Sequence, residues 1–537
     1  MKIRNNTEFK NYLTFLGIPI PICLGKGIIL FDPINMSHLL ISAAHKSAGK
    51  TTITLGLCAA LTTRGITVQP FKKGPDYIDP LWLTQAANRP CHHLDFYTMN
   101  RTEIQTSFAQ YSQTADISMI EGNKGLYDGM AVDGSNSNAA LAHLLGAPVI
   151  LVLDTKDMTR GVAPLVLGYQ LFDKNIHIAG VILNRVGGER HEGKLRESME
   201  YHTDVPVIGA VRRNSSFLIK ERHLGLMPSN EDNQAQEKIN TIATVIAEQV
   251  NLEQLLNIAK QANPLPPIEA KKIGENKSFL PVSTSSTTSF QRGGISRVSR
   301  IHSSFPKHQR ENIPTHQNIK IGIIRDAAFG FYYAGDLEAL ETAGAELVFI
   351  NALHDSQLPK VDALFIGGGF PETRMEQLAN NHSLKTEIRE AIENDRPVYA
   401  ECGGLMYLAR QLTWQEKTCD MVGALPFDIV MGTRPQGRGY VIMRETGQGL
   451  WPLIDSSGQP AEFPAHEFHY SQAINLPTNI TYAYQVLRGH GVDGKNDGII
   501  YKNTLASYVH LRDVENNRWT QRFVEFVRQK STTKLKK

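Results

Sequence analysis

The chain has 537 residues, which is too long for a single hydrophobic core and predicts roughly three or four domains. Hydrophobic residues make up 41%, charged residues 20%, and the net charge is only +3, which excludes an intrinsically disordered chain and a strongly basic surface for polyanions. Scattered cysteines without CxxC spacing exclude a disulfide framework and a zinc cluster, and favour a reducing cytoplasm; they are Cys23, Cys58, Cys91, Cys402 and Cys419.

Residues 1–36 are predicted to be an N-terminal extension. The apolar stretch from Leu13 to Phe31 is interrupted by glycines and prolines and lacks the organisation of a signal peptide, so neither a signal nor a membrane anchor is predicted. Met36 stands directly before the first predicted strand and is an alternative start of the protein.

Residues 37–230 show short apolar runs that alternate with helix-length segments, beginning at Leu39. This alternation predicts an α/β domain with a doubly wound parallel sheet. The sequence AHKSAGKT at residues 44–51 follows the first strand and opens a helix predicted over residues 49–64, which is typical of a phosphate-binding loop. The predicted ATP-binding residues of this loop are Ser47, Gly49, Lys50, Thr51 and Thr52, with Thr51 also a ligand of Mg²⁺.

Other candidates follow later strands of the same domain. Glu121 ends the strand in ISMIEG, where such domains supply a second metal ligand. In FKKGPDYIDP, Lys72 is predicted to neutralise phosphate and Asp76 and Asp79 to share the metal, although a merely rigid turn is the alternative. Asn184 is predicted either to bind adenine through its amide or to cap the following helix.

Residues 231–318 are predicted to be a helical extension followed by a flexible linker. From about residue 264 the chain is rich in Ser, Pro, Arg and His and poor in apolar runs, so it cannot bury enough surface to become ordered. Its arginines could contact nucleic acid, but a solvated tether is favoured, and no nucleic-acid partner is predicted.

Residues 319–525 repeat the α/β pattern, and residues 526–537 are predicted to be a frayed basic tail. Cys402 lies between the strand RPVYA and a helix predicted over LMYLARQL, which is the context of a nucleophile elbow. Gly403 and the turn around Gly368 and Gly369 are suited to presenting backbone N–H groups to an oxyanion. Three histidines are open candidates for the base: His466, His469 and His510.

Taken together, GKTT, FKKGPDYIDP, EGNKGLYDG, NRVGGERH, GGGFPE, AECGGLMYL, HEFHYS and SYVHL resemble the cobyrinic acid a,c-diamide synthase family. That family pairs a dethiobiotin-synthetase-like ATP domain with a class I glutamine amidotransferase. The resemblance implies that Cys402 is the nucleophile, that His510 activates it, and that Glu467 and His469 line the glutaminase or the interface. It also implies phosphorylation of tetrapyrrole acetate groups a and c by ATP with Mg²⁺, displacement of phosphate by ammonia from glutamine, and a cytoplasmic enzyme. A homodimer is a further partner expectation.

The sequence departs from the family pattern at Ala43–Lys46 and at Asn123–Lys124, and both departures add positive charge. Lys46 or Lys124 is therefore predicted to pair with a substrate carboxylate. The further substrate candidates are Tyr77, Tyr127 and Asp128. Two alternatives remain: a sirohaem amidase of the branch found with dissimilatory sulfite reductase, and, from another class, a ParA-like ATP switch.

Overall fold

The computed structural model describes residues 22–24, 28–30, 36–214, 217, 219, 221–222, 225–265 and 319–535. The predicted linker from residue 266 to residue 318 and most of the predicted N-terminal extension lie outside the described residues. In the described part of the chain, no helix is both long and apolar enough to cross a lipid bilayer.

The chain divides into two compact units. One comprises Met1–Asp32 and Glu269–Asn318, and its described residues form an antiparallel hairpin of β1 (Ile22–Leu24) and β2 (Ile28–Leu30). The other comprises Pro33–Ile268 and Ile319–Lys537. Below, its two parts are called the N-terminal domain (residues 36–265) and the C-terminal domain (residues 319–535).

Seven parallel strands form the central sheet of the N-terminal domain. They are β3 (His38–Ala43), β4 (Val68–Lys73), β5 (His92–Leu94), β6 (Ile117–Glu121), β7 (Val149–Asp154), β8 (Ile178–Val186) and β9 (Val207–Arg212). Their order is β5-β4-β6-β3-β7-β8-β9, so the chain winds outward in both directions from β3. Every residue of β3 and β4 is buried, as expected for a parallel sheet covered on both faces. The predicted doubly wound α/β class is confirmed for this domain.

The helices that cover this sheet are α1 (Lys50–Thr63), α2 (Ile78–Ala87), α3 (Arg101–Ser112), α4 (Asn138–Leu145), α5 (Val162–Phe172), α6 (Glu189–His202), α7 (Ala235–Gln249) and α8 (Leu252–Ala259). A short hairpin of β10 (Glu221–Arg222) and β11 (Gly225–Leu226) precedes α7. A Cβ atom on Gly56 of α1 would collide with the side chains of Ile242 and Ile246 on α7. Because the two helices pack this closely, the predicted extension after residue 230 belongs to the core of this domain.

The C-terminal domain contains β12 (Ile319–Ile324), β13 (Phe329–Phe331), β14 (Ala345–Ile350), β15 (Ala363–Ile366), β16 (Gly368–Gly369), β17 (Val398–Glu401), β18 (Gln411–Trp414), β19 (Lys417–Asp420), β20 (Asp428–Met431), β21 (Gly437–Glu445), β22 (Glu462–His469), β23 (Ser471–Ile474), β24 (Thr481–Arg488), β25 (Asn496–Tyr501) and β26 (Thr504–Ser507). Its helices are α9 (Ala334–Thr342), α10 (Met375–Asn380), α11 (His382–Glu393), α12 (Gly403–Leu408) and α13 (Trp519–Leu535).

Nine strands form the main sheet of this domain, in the order β14-β12-β15-β17-β26-β25-β24-β21-β22. The first five are parallel to one another, whereas the remaining four continue the sheet in antiparallel fashion. The α/β class is confirmed, but the expected all-parallel sheet accounts for only part of it. Lys502 and Asn503 alone connect β25 to β26, and a connection this short allows only an antiparallel hairpin.

Two helix predictions in this domain are wrong in extent. Helix α12 stops at Leu408, and the chain turns into β18, so the predicted helix over LMYLARQL is cut short. Helix α13 runs on to Leu535 through the segment predicted to be a frayed tail. Phe526 and Val527 in that segment are buried because this face of the helix packs on the main sheet.

Aromatic and polar contacts join the two domains. The ring of Tyr97 stacks on that of Tyr440, with 4.2 Å between centroids, and the Tyr440 hydroxyl donates a 2.8 Å hydrogen bond to Asp95 Oδ1. The Tyr111 hydroxyl donates to Glu338 Oε2 at 2.5 Å. These contacts hold the carboxyl end of β5 and the helix α3 against the C-terminal domain.

Replacement of Phe526 by alanine should destabilise the C-terminal domain. The Phe526 ring is buried against Trp451, with 5.3 Å between centroids, so truncation leaves a cavity that costs about 3–5 kcal/mol and lowers the Tm by about 10 °C. Calorimetric melting of the full chain measures this. Gln521→Ala, on the exposed side of the same helix, is the matched control and should change stability by less than about 0.5 kcal/mol. Equal melting of both variants would show that this end of the helix is not packed.

Candidate active site

Cys402 occupies a strained turn between β17 and α12. Its φ of 48° and ψ of −101° lie outside the regions that most residues adopt. The Cys402 N–H donates to the carbonyl of Ser507 at 2.7 Å, which ties the turn to β26. A Cβ atom on Gly403 would lie 3.0 Å from the nitrogen of Gly369, and one on Gly404 would collide with the carbonyl of Ile366. A Cβ atom is therefore excluded at Gly404 and would force the facing turn to shift at Gly403, and the strand–turn–helix geometry predicted for a nucleophile elbow is present.

His510 lies beside the thiol, three residues beyond the end of β26. Its Nδ1 atom is 3.2 Å from Glu401 Oε2. Burial alone would lower the pKa of His510, but hydrogen bonds to the Cys402 and Glu401 side chains outweigh it and raise this pKa to about 10. The imidazolium form is thus stabilised between a thiol and a carboxylate, an arrangement suited to activating a sulfur nucleophile.

Glu401 completes this group, and the sequence interpretation missed it. Its Oε1 atom accepts hydrogen bonds from the Tyr399 hydroxyl at 2.6 Å and from the Leu511 N–H at 2.9 Å, while Oε2 faces His510. These donors fix the carboxylate so that it orients the imidazole. An acidic residue directly before the nucleophile was the available signal, but only the pairing of β17 with β26 brings it to His510.

The other two histidines considered as the base have different surroundings. His466 pairs through its backbone with His510, and burial followed by the charge of His510 lowers the pKa of its ring to about 3. His469 Nδ1 is hydrogen-bonded to the carbonyl of Ser471 at 2.9 Å, and its ring stacks on Tyr508. In the described part of the chain, the histidine whose side chain meets both Cys402 and Glu401 is His510.

Glu467 supports the wall of the site rather than touching the thiol. Its two oxygens accept hydrogen bonds from the N–H groups of His490 and Gly491, each at 2.8 Å. Its Oε2 atom is 3.9 Å from His469 Nε2. Between these residues, the carbonyl of Phe468 accepts a hydrogen bond from Cys402 Sγ at 3.8 Å, so β22 passes directly over the sulfur.

The glycine turn predicted to form an oxyanion hole adjoins the same centre. Gly368 and Gly369 form β16 and pair with β13. A Cβ atom on Gly368 would lie 2.6 Å from Cε1 of His510, so the turn is in contact with the imidazole. The oxyanion role of these glycines and of Gly403 stays a prediction.

The phosphate-binding loop is stabilised by Asn184. Ser47 and Gly49 have φ values of 65° and 94°, and a Cβ atom on Gly49 would collide with the Asn184 amide. Asn184 Nδ2 donates to the carbonyl of Ala48 at 2.8 Å. The predicted helix-capping role of Asn184 is wrong, because α6 begins after Gly188 without a side-chain cap.

Lys50 points back across the loop in this structure. Its Nζ atom donates to the carbonyl of Lys124 at 2.5 Å, and burial is the main cause that lowers its pKa to about 8. Phosphate oxygens would supply the negative charge that this buried ammonium needs. Thr51 and Thr52 form the first turn of α1 beside it.

Thr51, Lys72, Asp79 and Glu121 form a buried polar cluster next to Lys50. Thr51 Oγ1 donates to Glu121 Oε1 at 2.7 Å and to Asp79 Oδ2 at 3.2 Å. Lys72 Nζ lies 2.5 Å from Asp79 Oδ2 and 2.9 Å from Glu121 Oε1. Burial lowers the pKa of Lys72, but the two carboxylates outweigh it and raise that pKa above its ordinary value. Burial has the opposite effect on a carboxyl group and raises the pKa of Glu121 to about 7.

This cluster has the donor set of a Mg²⁺ site. Glu121 Oε2 is buried without a hydrogen-bond partner, and oxygen ligands from a carboxylate and a threonine hydroxyl suit this cation. Among the described residues, no group of three or more His, Cys, Asp and Glu side chains forms a metal site alone. A cation here would therefore also need oxygens from the nucleotide phosphates.

Asp76 and Tyr77 make further contacts in the folded chain, and their predicted metal and substrate roles stay predictions. Asp76 Oδ1 accepts hydrogen bonds from the N–H groups of Ile78 and Asp79 at 2.9 and 3.1 Å and thus begins α2, while burial raises its pKa to about 6. The Tyr77 ring enters the C-terminal domain and lies 4.9 Å from that of His510. The segment from residue 76 to residue 79 therefore joins the phosphate site to the thiol centre.

Of the remaining substrate candidates, Lys46 lies in the phosphate-binding loop after β3, and the others lie in the loop after β6. Lys46 and Lys124 are exposed. The Tyr127 hydroxyl donates to the carbonyl of Tyr169 at 2.6 Å, and Asp128 Oδ2 accepts the Gly125 N–H at 2.9 Å. The structure brings Lys124 to Lys50, whereas Tyr127 and Asp128 stabilise the loop itself.

Comparisons with known proteins agree with this two-domain architecture. Residues 40–226 match the CobQ/CobB/MinD/ParA nucleotide binding domain, and residues 320–517 match the CobB/CobQ-like glutamine amidotransferase domain. The chain is similar to a cobyrinate a,c-diamide synthase of Magnetococcus marinus, with 42% identity over 505 residues that cover 93% of this chain and 99% of that protein. Cobyrinate a,c-diamide synthases of Archaeoglobus fulgidus and Methanosarcina barkeri are 38% and 37% identical, over 92% of this chain and 98% and 96% of theirs.

Both domains are matched, and the relatives are aligned along nearly their whole length, so the likeness extends well beyond a shared nucleotide-binding fold. A nucleotide switch without an amidotransferase domain does not account for it. The chain belongs to the cobyrinate a,c-diamide synthase family and is a glutamine-dependent ligase.

Proposed function

We propose that this enzyme uses ATP and glutamine to convert the a and c acetate carboxylates of cobyrinate to amides. The curated relatives that align with nearly the whole chain are cobyrinate a,c-diamide synthases. The observation that carries the proposal is the contact of Tyr77 with His510, at 4.9 Å between ring centroids. This contact supports the proposal, because residues 76–79 then adjoin both the polar cluster around Thr51 and the thiol of Cys402, and the reaction passes ammonia from one to the other.

In the C-terminal domain, the sulfur of Cys402 attacks the side-chain amide carbon of glutamine. Glu401 orients His510, which takes the proton of the thiol and donates it to the departing nitrogen, so that the C–N bond breaks, ammonia leaves and a thioester remains. Backbone N–H groups of Gly368, Gly369 and Gly403 stabilise the negative oxygen of the intermediate. Water then cleaves the thioester, which releases glutamate and regenerates Cys402.

In the N-terminal domain, the N–H groups of the loop around Ser47 and Gly49 and the ammonium of Lys50 bind the ATP phosphates. Thr51, Glu121 and Asp79 would hold Mg²⁺, which neutralises negative charge on the phosphate oxygens when it is bound. A substrate acetate oxygen attacks the γ-phosphorus, ADP leaves, and an acyl phosphate forms. Ammonia attacks its carbonyl carbon, phosphate departs, and the amide remains. The second carboxylate reacts in the same way.

An assay with two tetrapyrroles tests this proposal. Purified full-length protein with ATP, Mg²⁺ and glutamine should convert cobyrinate to its diamide, with one ADP and one glutamate per amide, as mass spectrometry and product counting measure. Sirohaem, incubated in parallel, tests the alternative substrate. Amidation of sirohaem but not of cobyrinate would assign the enzyme to that alternative, and amidation of neither would overturn the proposal.

Replacement of Cys402 by serine should lower the rate of glutamine hydrolysis by about a thousandfold or more, because the sulfur nucleophile is lost. Amidation should survive when ammonium chloride replaces glutamine, since the N-terminal domain is unchanged. Cys419→Ser is the matched control, because Cys419 lies on β19 away from this centre, and it should retain both activities. Glutamate formation by the Cys402 variant at the normal rate would refute the assignment of the nucleophile.

Replacement of Glu401 by glutamine should lower the glutaminase kcat by roughly 100- to 10,000-fold, because the imidazole loses its orienting carboxylate. The same change should lower the pKa of His510, which the carboxylate raises, and so move the alkaline decline of kcat/KM to lower pH. The pH profile of glutamate release measures both effects. Glu462→Gln, on the exposed side of β22, should leave the profile unchanged. An unshifted alkaline limb in the Glu401 variant would contradict this role.

A further inference from the structure

Lys73 is a buried lysine that the mechanism above does not use. It is the last residue of β4, and because strand side chains alternate, it points to the face of the sheet opposite Lys72. Its side chain is almost inaccessible to solvent, with 6% exposure for the residue. The hydrogen bond of its Nζ atom is to the side-chain oxygen of Asn123, at 3.3 Å.

The charge of Lys73 is not neutralised as that of Lys72 is. Among the described residues, no carboxylate lies within 4.0 Å of Lys73 Nζ. The nearest acidic influence is Asp95, whose oxygens accept hydrogen bonds from the Tyr440 hydroxyl, the Tyr97 N–H and the Thr98 hydroxyl. Burial, and after it the positive charges of Lys124 and Lys72, lower the pKa of Lys73 to about 8. Lys73 is therefore a buried ammonium whose described hydrogen-bond partner is a neutral amide, with the charge of Asp95 acting only from beyond ion-pair distance.

Lys73 also lies on the way from the domain interface to the nucleotide. Its partner Asn123 precedes Lys124, whose carbonyl accepts the hydrogen bond from Lys50. A Cβ atom on Gly74 would lie 3.0 Å from Asn123 Nδ2 and 3.6 Å from the Tyr440 hydroxyl, so the C-terminal domain forms the opposite wall. Lys73 and Lys124 thus extend the positive charge of the phosphate site towards the interface.

We propose that Lys73 is a specificity-determining residue that binds a carboxylate of the tetrapyrrole substrate other than the one being phosphorylated. This inference rests on the proposed function. Of the ligands in that reaction, it assigns the tetrapyrrole, rather than ATP or glutamine, to Lys73. The ATP phosphates face Lys50 and the cluster around Lys72, and glutamine reacts in the C-terminal domain. A polycarboxylate, by contrast, presents one acetate group to the γ-phosphate while its other carboxylates lie outward. Lys73 stands at such an outward position and lacks the anion that a buried ammonium needs.

The test compares Lys73→Met with the wild type, using cobyrinate as the probe. Loss of one charged hydrogen bond should raise the Kd of cobyrinate by about tenfold or more. Binding is measured by the absorbance of cobyrinate in the absence of turnover. The KM for cobyrinate should rise in parallel, while the KM for ATP and the rate of glutamate release stay within about twofold. Wild-type affinity should also fall as the pH rises through about 8, because Lys73 then loses its proton, and this fall should be absent from the variant.

Two further variants make the result decisive. Lys156→Met removes an exposed lysine beyond the end of β7, at the same edge of the sheet, and should leave the cobyrinate affinity unchanged. Lys73→Arg keeps the charge and should recover part of the affinity, which a purely structural role would not explain.

The possible results separate the two proposals. If Lys73→Met binds cobyrinate as tightly as the wild type, or if the KM for ATP rises instead, the role of Lys73 is refuted. If the wild type binds no cobyrinate, the substrate assignment of the proposed function fails with it. Should Lys73→Met fail to retain glutaminase activity, Lys73→Gln and the pH dependence of the wild type decide the question.

Discussion

The Tyr440 hydroxyl of the C-terminal domain donates a 2.8 Å hydrogen bond to Asp95 of the N-terminal domain, and Tyr97 stacks on the Tyr440 ring. Asp95 follows β5, so this contact holds the carboxyl edge of one sheet against the other domain. Ligands bind at that edge in parallel α/β sheets, and the remaining features of the site depend on its position. With the edge held there, Tyr77 reaches His510 while Asp79, two residues later, contacts Thr51.

Buried charge is handled in three different ways within this site. Lys72 is compensated inside the protein by Asp79 and Glu121, an arrangement that costs desolvation but fixes the geometry of the cluster. Lys50 is held by a backbone carbonyl and needs phosphate for full compensation. Lys73 has a neutral amide as its partner. Each of the three lysines faces a different set of neighbours, which suits Lys72 to a structural role, Lys50 to the nucleotide binding predicted for it and Lys73 to the substrate binding proposed for it.

In the thiol centre, backbone strain and hydrogen bonding support each other. The left-handed φ of Cys402 persists because its N–H is tied to β26 and the glycines after it pack against the turn around Gly369. The same pairing of β17 with β26 carries Glu401 to His510. The register between β17 and β26 thus determines the positions of the Cys402 thiol, the His510 imidazole and the Glu401 carboxylate together.

Contiguous residues and hydrophobic periodicity were enough to predict the two α/β domains, the phosphate-binding loop around Lys50 and the turn at Cys402. The folded chain was needed to show that His510 is the histidine that meets the thiol, that Glu401 contacts its ring, and that Asn184 supports the loop instead of capping a helix. Glu401 and His510 are 109 positions apart, and Asn184 and Ala48 are 136 apart. Such partners are chosen by strand order and register, which local sequence patterns do not encode.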